Sequence, residues 1–260
     1  MAQHNEGLRG GVLVASAAVL VAFLLFWESL PALTRVPEFI LPPPSKVWSE
    51  FLHMLDNDRL IRHTGITSAE VVIGFVIGSA LGAVIGFILG VAPRAELVLS
   101  PYILALQIAP KVAFAPLFVM WLGYTMYPKI LVAVLIVFFP VLINVLSAMR
   151  AMDGDLTNLA RSFSATRFQI FHMVEFPTTL PPLFSGLRIA STLAVIGVVV
   201  GELVGGNMGL GYLLTFFEGQ GNTAGVFVVI GALTVIGIVA YYAVVIAEKR
   251  VLHYLPSAQR

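Results

Sequence analysis

The stretch Val71-Val-Ile-Gly-Phe-Val-Ile-Gly-Ser-Ala-Leu-Gly-Ala-Val-Ile-Gly-Phe-Ile-Leu-Gly-Val91 lies inside an interval of twenty-three uncharged residues between Glu70 and Arg94. About 20 apolar residues in helical form cross the hydrocarbon core of a bilayer, so this interval reads as a transmembrane helix. Glycine recurs every fourth residue, at Gly74, Gly78, Gly82, Gly86 and Gly90. On a helix that spacing makes one slowly drifting stripe. A stripe of small residues lets a second backbone approach closely, either another helix of the same chain or a helix of a second copy.

Outward from this helix the same pattern repeats. Eighteen uncharged residues separate Arg9 from Glu28, the run from Leu97 to Leu122 has Lys111 as its single charge, and another apolar interval lies between Lys129 and Arg150. A fifth run, Pro182 to Val204, is interrupted by Arg188 and contains Glu202, and a sixth, Val226 to Ala247, has no charge. The expected fold is therefore all-α and integral to the membrane, with about six transmembrane helices. The composition agrees. Of 260 residues 58% are hydrophobic and 11% charged, with a mean hydropathy of +0.94, more apolar than the roughly 45–50% of soluble domains.

The first run is read as a retained helix, residues 1–30, since it is long for a signal peptide and no small-residue cleavage site follows. Residues 31–66 then form an extracytoplasmic segment that holds Leu41-Pro-Pro-Pro-Ser45 and an amphipathic stretch from Lys46 to Leu60. A core of five helices occupies 67–248 with a cytoplasmic loop at 150–181, and 249–260 is a cytoplasmic tail. Lysine and arginine favour cytoplasmic loops. Placing the amino terminus inside puts Arg9, Arg94, Arg150, Arg161, Arg167, Lys249, Arg250 and Arg260 inside, against Arg35, Lys46, Arg59, Arg62 and Lys129 outside.

A net charge of +1 gives no electrostatic reason for nucleic-acid binding. The absence of cysteine excludes disulfides and thiolate chemistry, and the five histidines form no HExxH or i, i+4 pair for a metal. The polar groups inside the spans are few. Pro110 and Pro116 kink the third span and place it inside the bundle, beside a solute path. Lys111 lies near its middle, where a lysine costs about 2.5–3.5 kcal/mol. It either lines a cavity that passes an anion or pairs structurally with Glu202 or with backbone carbonyls. Gln107 and Asn144 either face the same cavity or bridge helices. Glu202 precedes Gly205-Gly-Asn-Met-Gly-Leu-Gly211 and marks the end of the fifth helix.

Between the fourth and fifth spans stands Asp153-Gly-Asp-Leu-Thr-Asn-Leu-Ala-Arg-Ser-Phe-Ser-Ala-Thr-Arg-Phe-Gln-Ile-Phe-His-Met-Val-Glu-Phe-Pro177. Apolar residues at Leu156, Leu159, Ala160, Phe163, Ile170, Phe171 and Val174 follow helical spacing, and Asp155 is placed to cap the start. Such a segment either lies flat on the membrane or docks into a partner's groove. It resembles the EAA motif of binding-protein-dependent ABC importer permeases. The aligned positions are Asn158-Leu159-Ala160, Ser164 and Val174-Glu175-Phe176-Pro177. Asn158 stands where that motif has glutamate, Leu159 where it has alanine, and Ser164 where it has glycine, so a less sharp break between two short helices is expected here. Weight within the motif falls on Ala160, Arg161, Ala165, Phe176 and Pro177.

Other stretches resemble the nitrate/sulfonate/taurine-type branch of that superfamily, which includes vitamin-precursor permeases. They are Leu41-Pro-Pro-Pro-Ser-Lys-Val-Trp48, Pro110-Lys-Val-Ala-Phe-Ala-Pro-Leu117, Trp121-Leu-Gly123, Phe138-Phe-Pro140, Gly186-Leu-Arg188, Gly201-Glu-Leu203 and Gly209-Leu-Gly211. The resemblance implies a type I ABC importer permease-like bundle in a bacterial inner membrane. It further implies a homodimer, two ATPase subunits that hold ATP and Mg and contact the loop, and an extracytoplasmic solute-binding protein. The chain contains no Gly-Lys pair, which a Walker A loop requires, so nucleotide chemistry is expected in a separate subunit and no cofactor in this one. The solute expected from the branch is a small anion such as a sulfonate or nitrate, or a vitamin precursor. An ion-coupled secondary transporter is the alternative, although no internal repeat of the kind common in that class stands out.

Overall fold

The computed structural model describes residues 2–57, 59–152 and 154–253, with side chains from residue 14 onward. Asp153 and the tail beyond His253 lie outside the described residues. Every regular element is helical among them: α1 (Ala2–Thr34), α2 (Pro44–Asp56), α3 (Arg59–Gly90), α4 (Pro93–Ile108), α5 (Ala115–Leu122), α6 (Met126–Arg150), α7 (Gly154–Ser162), α8 (Arg167–Ile170), α9 (Phe176–Gly205), α10 (Leu210–Gly219) and α11 (Thr223–Val251). Five helical segments are long and apolar enough to cross a membrane: Val14–Thr34, Arg59–Gly90, Met126–Arg150, Arg167–Gly205 and Thr223–Val251. The sixth is a broken pair, in which α4 and the Lys111–Leu122 segment meet at 78°.

The break has a covalent cause. Pro110 lacks the N–H that would continue α4, and the residue before it is pushed toward extended backbone. Ala109 adopts φ −53° and ψ 136°. One 3₁₀ turn, Lys111–Phe114, then leads into α5. Pro116 produces no kink, because it sits in the first turn of α5, where its missing donor has no intrahelical partner to lose.

The chain divides into two compact units. The first comprises residues up to Ile61 together with Leu213–Gly231. In it α2 starts at Pro44 with Pro43 at the cap, and its start is tied to α1: the Glu28 carboxylate accepts from Ser45 Oγ at 2.7 Å and from Ser45 N at 3.0 Å. Trp27 packs against Phe227 with ring centroids 5.3 Å apart. Asn222 Nδ2 donates to Glu50 Oε1 at 3.0 Å. The apolar side chains of α1 from Val14 onward are mostly exposed, which suits a helix bathed in lipid.

The second unit comprises Arg62–Tyr212 and the described residues from Ala232 onward, and α6 is its centre. Val132, Ala133, Val137, Val141, Leu142 and Val145 are fully buried. Glycines of two other helices make this possible. Along α3, a Cβ at Gly74 would stand 2.7 Å from Ala133 Cβ, one at Gly78 2.9 Å from Val137 Cβ, and one at Gly86 2.9 Å from Val145 Cβ. Gly82 faces the Phe138 carbonyl and Gly90 faces Met149 in the same way, each at 2.6 Å. From the other side α9 brings Gly186 against Asn144, Gly197 against Ala133 Cα and Gly201 against Lys129 Cα. The occupant of the glycine stripe in this structure is thus a helix of the same chain.

Gly197→Ala would press a methyl group to 2.6 Å from the Ala133 main chain, which cannot swing aside as a side chain can. We expect it to destabilise the protein by about 1–3 kcal/mol. Gly237→Ala, where nothing lies within 4 Å, should leave stability unchanged. Thermal unfolding in detergent micelles compares the two.

Candidate functional site

The loop after α6 is built by local capping. The α7 helix leaves no side chain buried, and Leu156, Leu159 and the following Phe163 are exposed, Phe163 to 80%. Its C-terminus closes with two bonds, Ala165 N to Ala160 O at 3.1 Å and Ser164 N to Arg161 O at 2.8 Å. That six-to-one and five-to-two pair is the Schellman arrangement. Ser164 occupies its left-handed position at φ 58°, a conformation that glycine adopts freely. Serine therefore does not soften the break between the short helices, contrary to the expectation from sequence, because backbone bonds on both sides hold the turn.

Thr166 then begins α8 with a capping box: Gln169 N donates to Thr166 Oγ1 at 3.3 Å, and Thr166 N donates to Gln169 Oε1 at 2.8 Å. One π turn, Phe171–Glu175, continues without interruption into α9. This part is anchored. Ile170 and Glu175 are buried, Phe171 meets Phe87 of α3 edge-on at 5.6 Å, and Phe176 meets Phe87 at 5.5 Å. Arg167 Nη2 donates to Val91 O at 3.2 Å, and Nη1 lies 3.9 Å from Glu175 Oε1. A cleft of about 410 Å³ runs here between Phe87, Ile88, Val91, Phe168 and Phe171. Among the residues singled out from sequence, Asp155, Asn158, Arg161, Ser164 and Phe176 are exposed, while Ala160, Ala165 and Pro177 are half-buried.

The polar residues within the spans fall into separate places. Lys111 Nζ donates to the Gln107 carbonyl, whose helical partner is lost at the break, and lies over the Phe139 ring at 4.8 Å from its centroid. It does not pair with Glu202. The Gln107 side chain is exposed. Asn144 is half-buried, with Nδ2 donating to Pro140 O at 2.8 Å.

Glu202 instead joins a buried cluster that sequence reasoning did not assemble. Its Oε1 accepts from Thr67 Oγ1 at 2.7 Å and its Oε2 from Gly211 N at 2.6 Å. Leu210 N donates to Thr67 Oγ1 at 2.8 Å, and Gly209 N to His63 Nδ1 at 2.9 Å. Beside them Lys129 Nζ pairs with Glu70 Oε1 at 3.0 Å and donates to Met208 O at 3.3 Å. Lys129, counted from sequence among loop charges, is in fact buried. The signal that could have found the cluster lies on α3. His63, Thr67 and Glu70 sit at i, i+4 and i+7 and run directly into Gly74, so they are the polar start of the glycine stripe.

Together these side chains hold the 206–211 turn between α9 and α10. Gly209, at φ 106°, is the one residue type that fits, because a Cβ there would overlap the Glu202 carboxylate. Thr67→Val keeps the shape but removes the hydroxyl that serves both Glu202 and the Leu210 N–H. We expect a loss of about 1–3 kcal/mol and faster proteolysis of residues 206–211, measured on the purified variant.

Apolar helices of bilayer length, one broken span and an amphipathic loop between two of them define a multi-span helical membrane protein. The chain belongs to the family described as binding-protein-dependent transport system inner membrane component, which matches residues 78–253. It is a multi-pass membrane permease subunit of an ABC importer, a family in which the ATPase is a separate subunit. It is 37% identical to the riboflavin transport system permease protein of Chloroflexus aurantiacus, over 92% of this chain and 89% of that one. It is 33% identical to the formylaminopyrimidine transport permease protein of Halalkalibacterium halodurans, over 85% and 88%. The taurine transport system permease protein of Escherichia coli is 26% identical over 87% and 83%. Among solved structures, the inward-facing MetNI methionine ABC transporter shares the fold, with a TM-score of 0.62 at 21% identity, over 75% of this chain and 95% of that chain.

Proposed function

We propose that residues 153–177 couple this permease to its ATPase, with α7 as the docking element. The observation that carries the reading is the exposure of Leu156, Leu159 and Phe163 on a helix that buries none of its own side chains, while α8 and the π turn are anchored on α3. An apolar surface at the end of a rigid support fits a groove in a partner. Asp155, Asn158, Ala160, Arg161, Ser164 and Ala165 form the contact, and Phe176-Pro177 is its exit into α9. In this reading the assembly has two copies of the permease, two ATPase subunits and an extracytoplasmic solute-binding protein. Residues 1–30 and 67–248 are the membrane part, 31–66 is extracytoplasmic, and the amino terminus and the tail 249–260 are cytoplasmic.

Single cysteines at Arg161 or Thr166 should crosslink to a co-expressed ATPase in membranes. Failure at every site from Asn158 to Arg167 would remove the loop from this role.

The solute is a small anion such as a sulfonate or nitrate, or a vitamin precursor. Relatives named for riboflavin, formylaminopyrimidine and taurine transport support that range. Lys111 favours the anion, since no carboxylate lies within ion-pair distance of it among the described residues. Its ammonium stands at the break in the third span with Gln107 beside it and Asn144 further along the path, whereas Glu202, read from sequence as part of the same path, is enclosed in the buried cluster. Lys111→Met should reduce uptake at least tenfold while the purified protein keeps its thermal midpoint. Unchanged uptake would assign the residue to closing the helix break alone.

A further inference from the structure

Helix α2 is amphipathic, and one edge of its apolar half has no protein over it. Along Pro44–Asp56, helical spacing gathers Val47, Phe51, Met54 and Leu55 on one half of the helix. Met54 is fully buried and the other three are half-buried. The opposite half carries Ser45, Lys46, Ser49, His53 and Asp56, all exposed. Trp48 and Leu52, one turn apart, border the apolar half, yet they are 62% and 49% exposed. The Trp48 ring stacks on Phe51 with centroids 5.2 Å apart. Just before α2, in the turn closed by Ile40 N donating to Pro37 O at 2.9 Å, Phe39 and Ile40 are exposed as well.

Contacts with α1 and with the start of α11 fix the level at which α2 lies. Ser45 is held by the Glu28 carboxylate. Glu28 is the first charge after eighteen uncharged residues of α1, and the helix ends six residues later at Thr34, about 9 Å further along its axis. The start of α2 therefore lies beside the last turns of α1 and not beyond them. Glu50 accepts from Asn222, the residue before α11, and the Phe39 carbonyl accepts from Thr223 Oγ1 in its first turn. Both α1 and α11 are long and apolar enough to cross a bilayer, so these ends mark the edge of the hydrocarbon. The side chains of α1 that lead up to Glu28, among them Leu24, Leu25 and Phe26, are exposed, so lipid already surrounds the helix to which α2 is tied.

An amphipathic helix at that level lays its apolar side into the boundary between headgroups and acyl chains, where tryptophan is enriched. We propose that α2 is an interfacial helix: lipid at the headgroup–acyl boundary covers the edge formed by Trp48 and Leu52, together with Phe39 and Ile40, while Ser49, His53 and Asp56 face water. The side of α2 opposite Met54 carries Ser49 and Asp56, which offers a soluble protein no apolar contact from the water. This holds for either leaflet and independently of what the loop 153–177 binds.

The chain has no cysteine, so single spin labels report without background. Trp48→Cys, Leu52→Cys, Ser49→Cys and His53→Cys, each labelled and placed in lipid nanodiscs, are compared by their accessibility to oxygen, which concentrates in lipid, and to a water-soluble nickel chelate. Labels at 48 and 52 should show an oxygen-to-nickel ratio severalfold above that at 49 and 53. Equal ratios with free access of nickel at 48 and 52 would make the edge a water-facing docking surface, and protection from both reagents would mean that a second copy covers it. Either result overturns the proposal. If Trp48→Cys fails to fold, Leu52→Cys against Ser49→Cys decides.

Discussion

The close approach of α6 to backbone on both of its sides is the constraint from which the rest of the second unit follows. Apolar side chains gain little by leaving lipid for one another, so helices in a bilayer associate through packing and hydrogen bonds. Four glycines on α3, from Gly74 to Gly86, and three on α9 let main chain meet main chain along α6. Ala133 touches both partners, with Gly74 on one side and Gly197 on the other. A backbone contact of this kind has no rotamers to exchange, and the three helices pack as one slab.

The polar groups of the spans can be ordered by what the slab does to them. At one end it encloses Glu70, Lys129 and Glu202, and burial obliges each to find a partner. Outside it, the break at Pro110 leaves the Gln107 carbonyl without its helical donor, and Lys111 supplies one from its side chain. Freed backbone in lipid needs such a replacement. The two lysines of the membrane core thus have different roles from similar chemistry. Lys129 pairs with a carboxylate, whereas Lys111 satisfies a backbone dipole.

Most of the architecture was legible from hydropathy, since uncharged intervals near bilayer length have little choice but to be spanning helices. The glycine stripe was equally plain, but its occupant was not, because periodicity identifies a face and says nothing about what meets it. The buried cluster was invisible for a related reason. Glu70 and Lys129 bound uncharged intervals, and a charge at such a boundary looks the same whether it enters water or turns inward to a partner 59 residues away. In the loop, helical spacing exposed the two short helices, yet comparison of single residues misjudged the turn. Ser164 was weighed by the glycine it replaces, while the turn depends on the hydrogen bonds of Ala165 and of Ser164's own main chain.

Serine at that turn also acts on the state in which the loop is not formed. A glycine would enter the left-handed region without strain, but it would also roam more widely in the unfolded chain and lose more freedom on ordering. Serine reverses both effects, with some strain in the native turn set against a narrower unfolded ensemble. The cost of a side chain at φ 58° is therefore partly offset before the loop ever forms, and a partner that binds it meets a segment with less entropy left to lose.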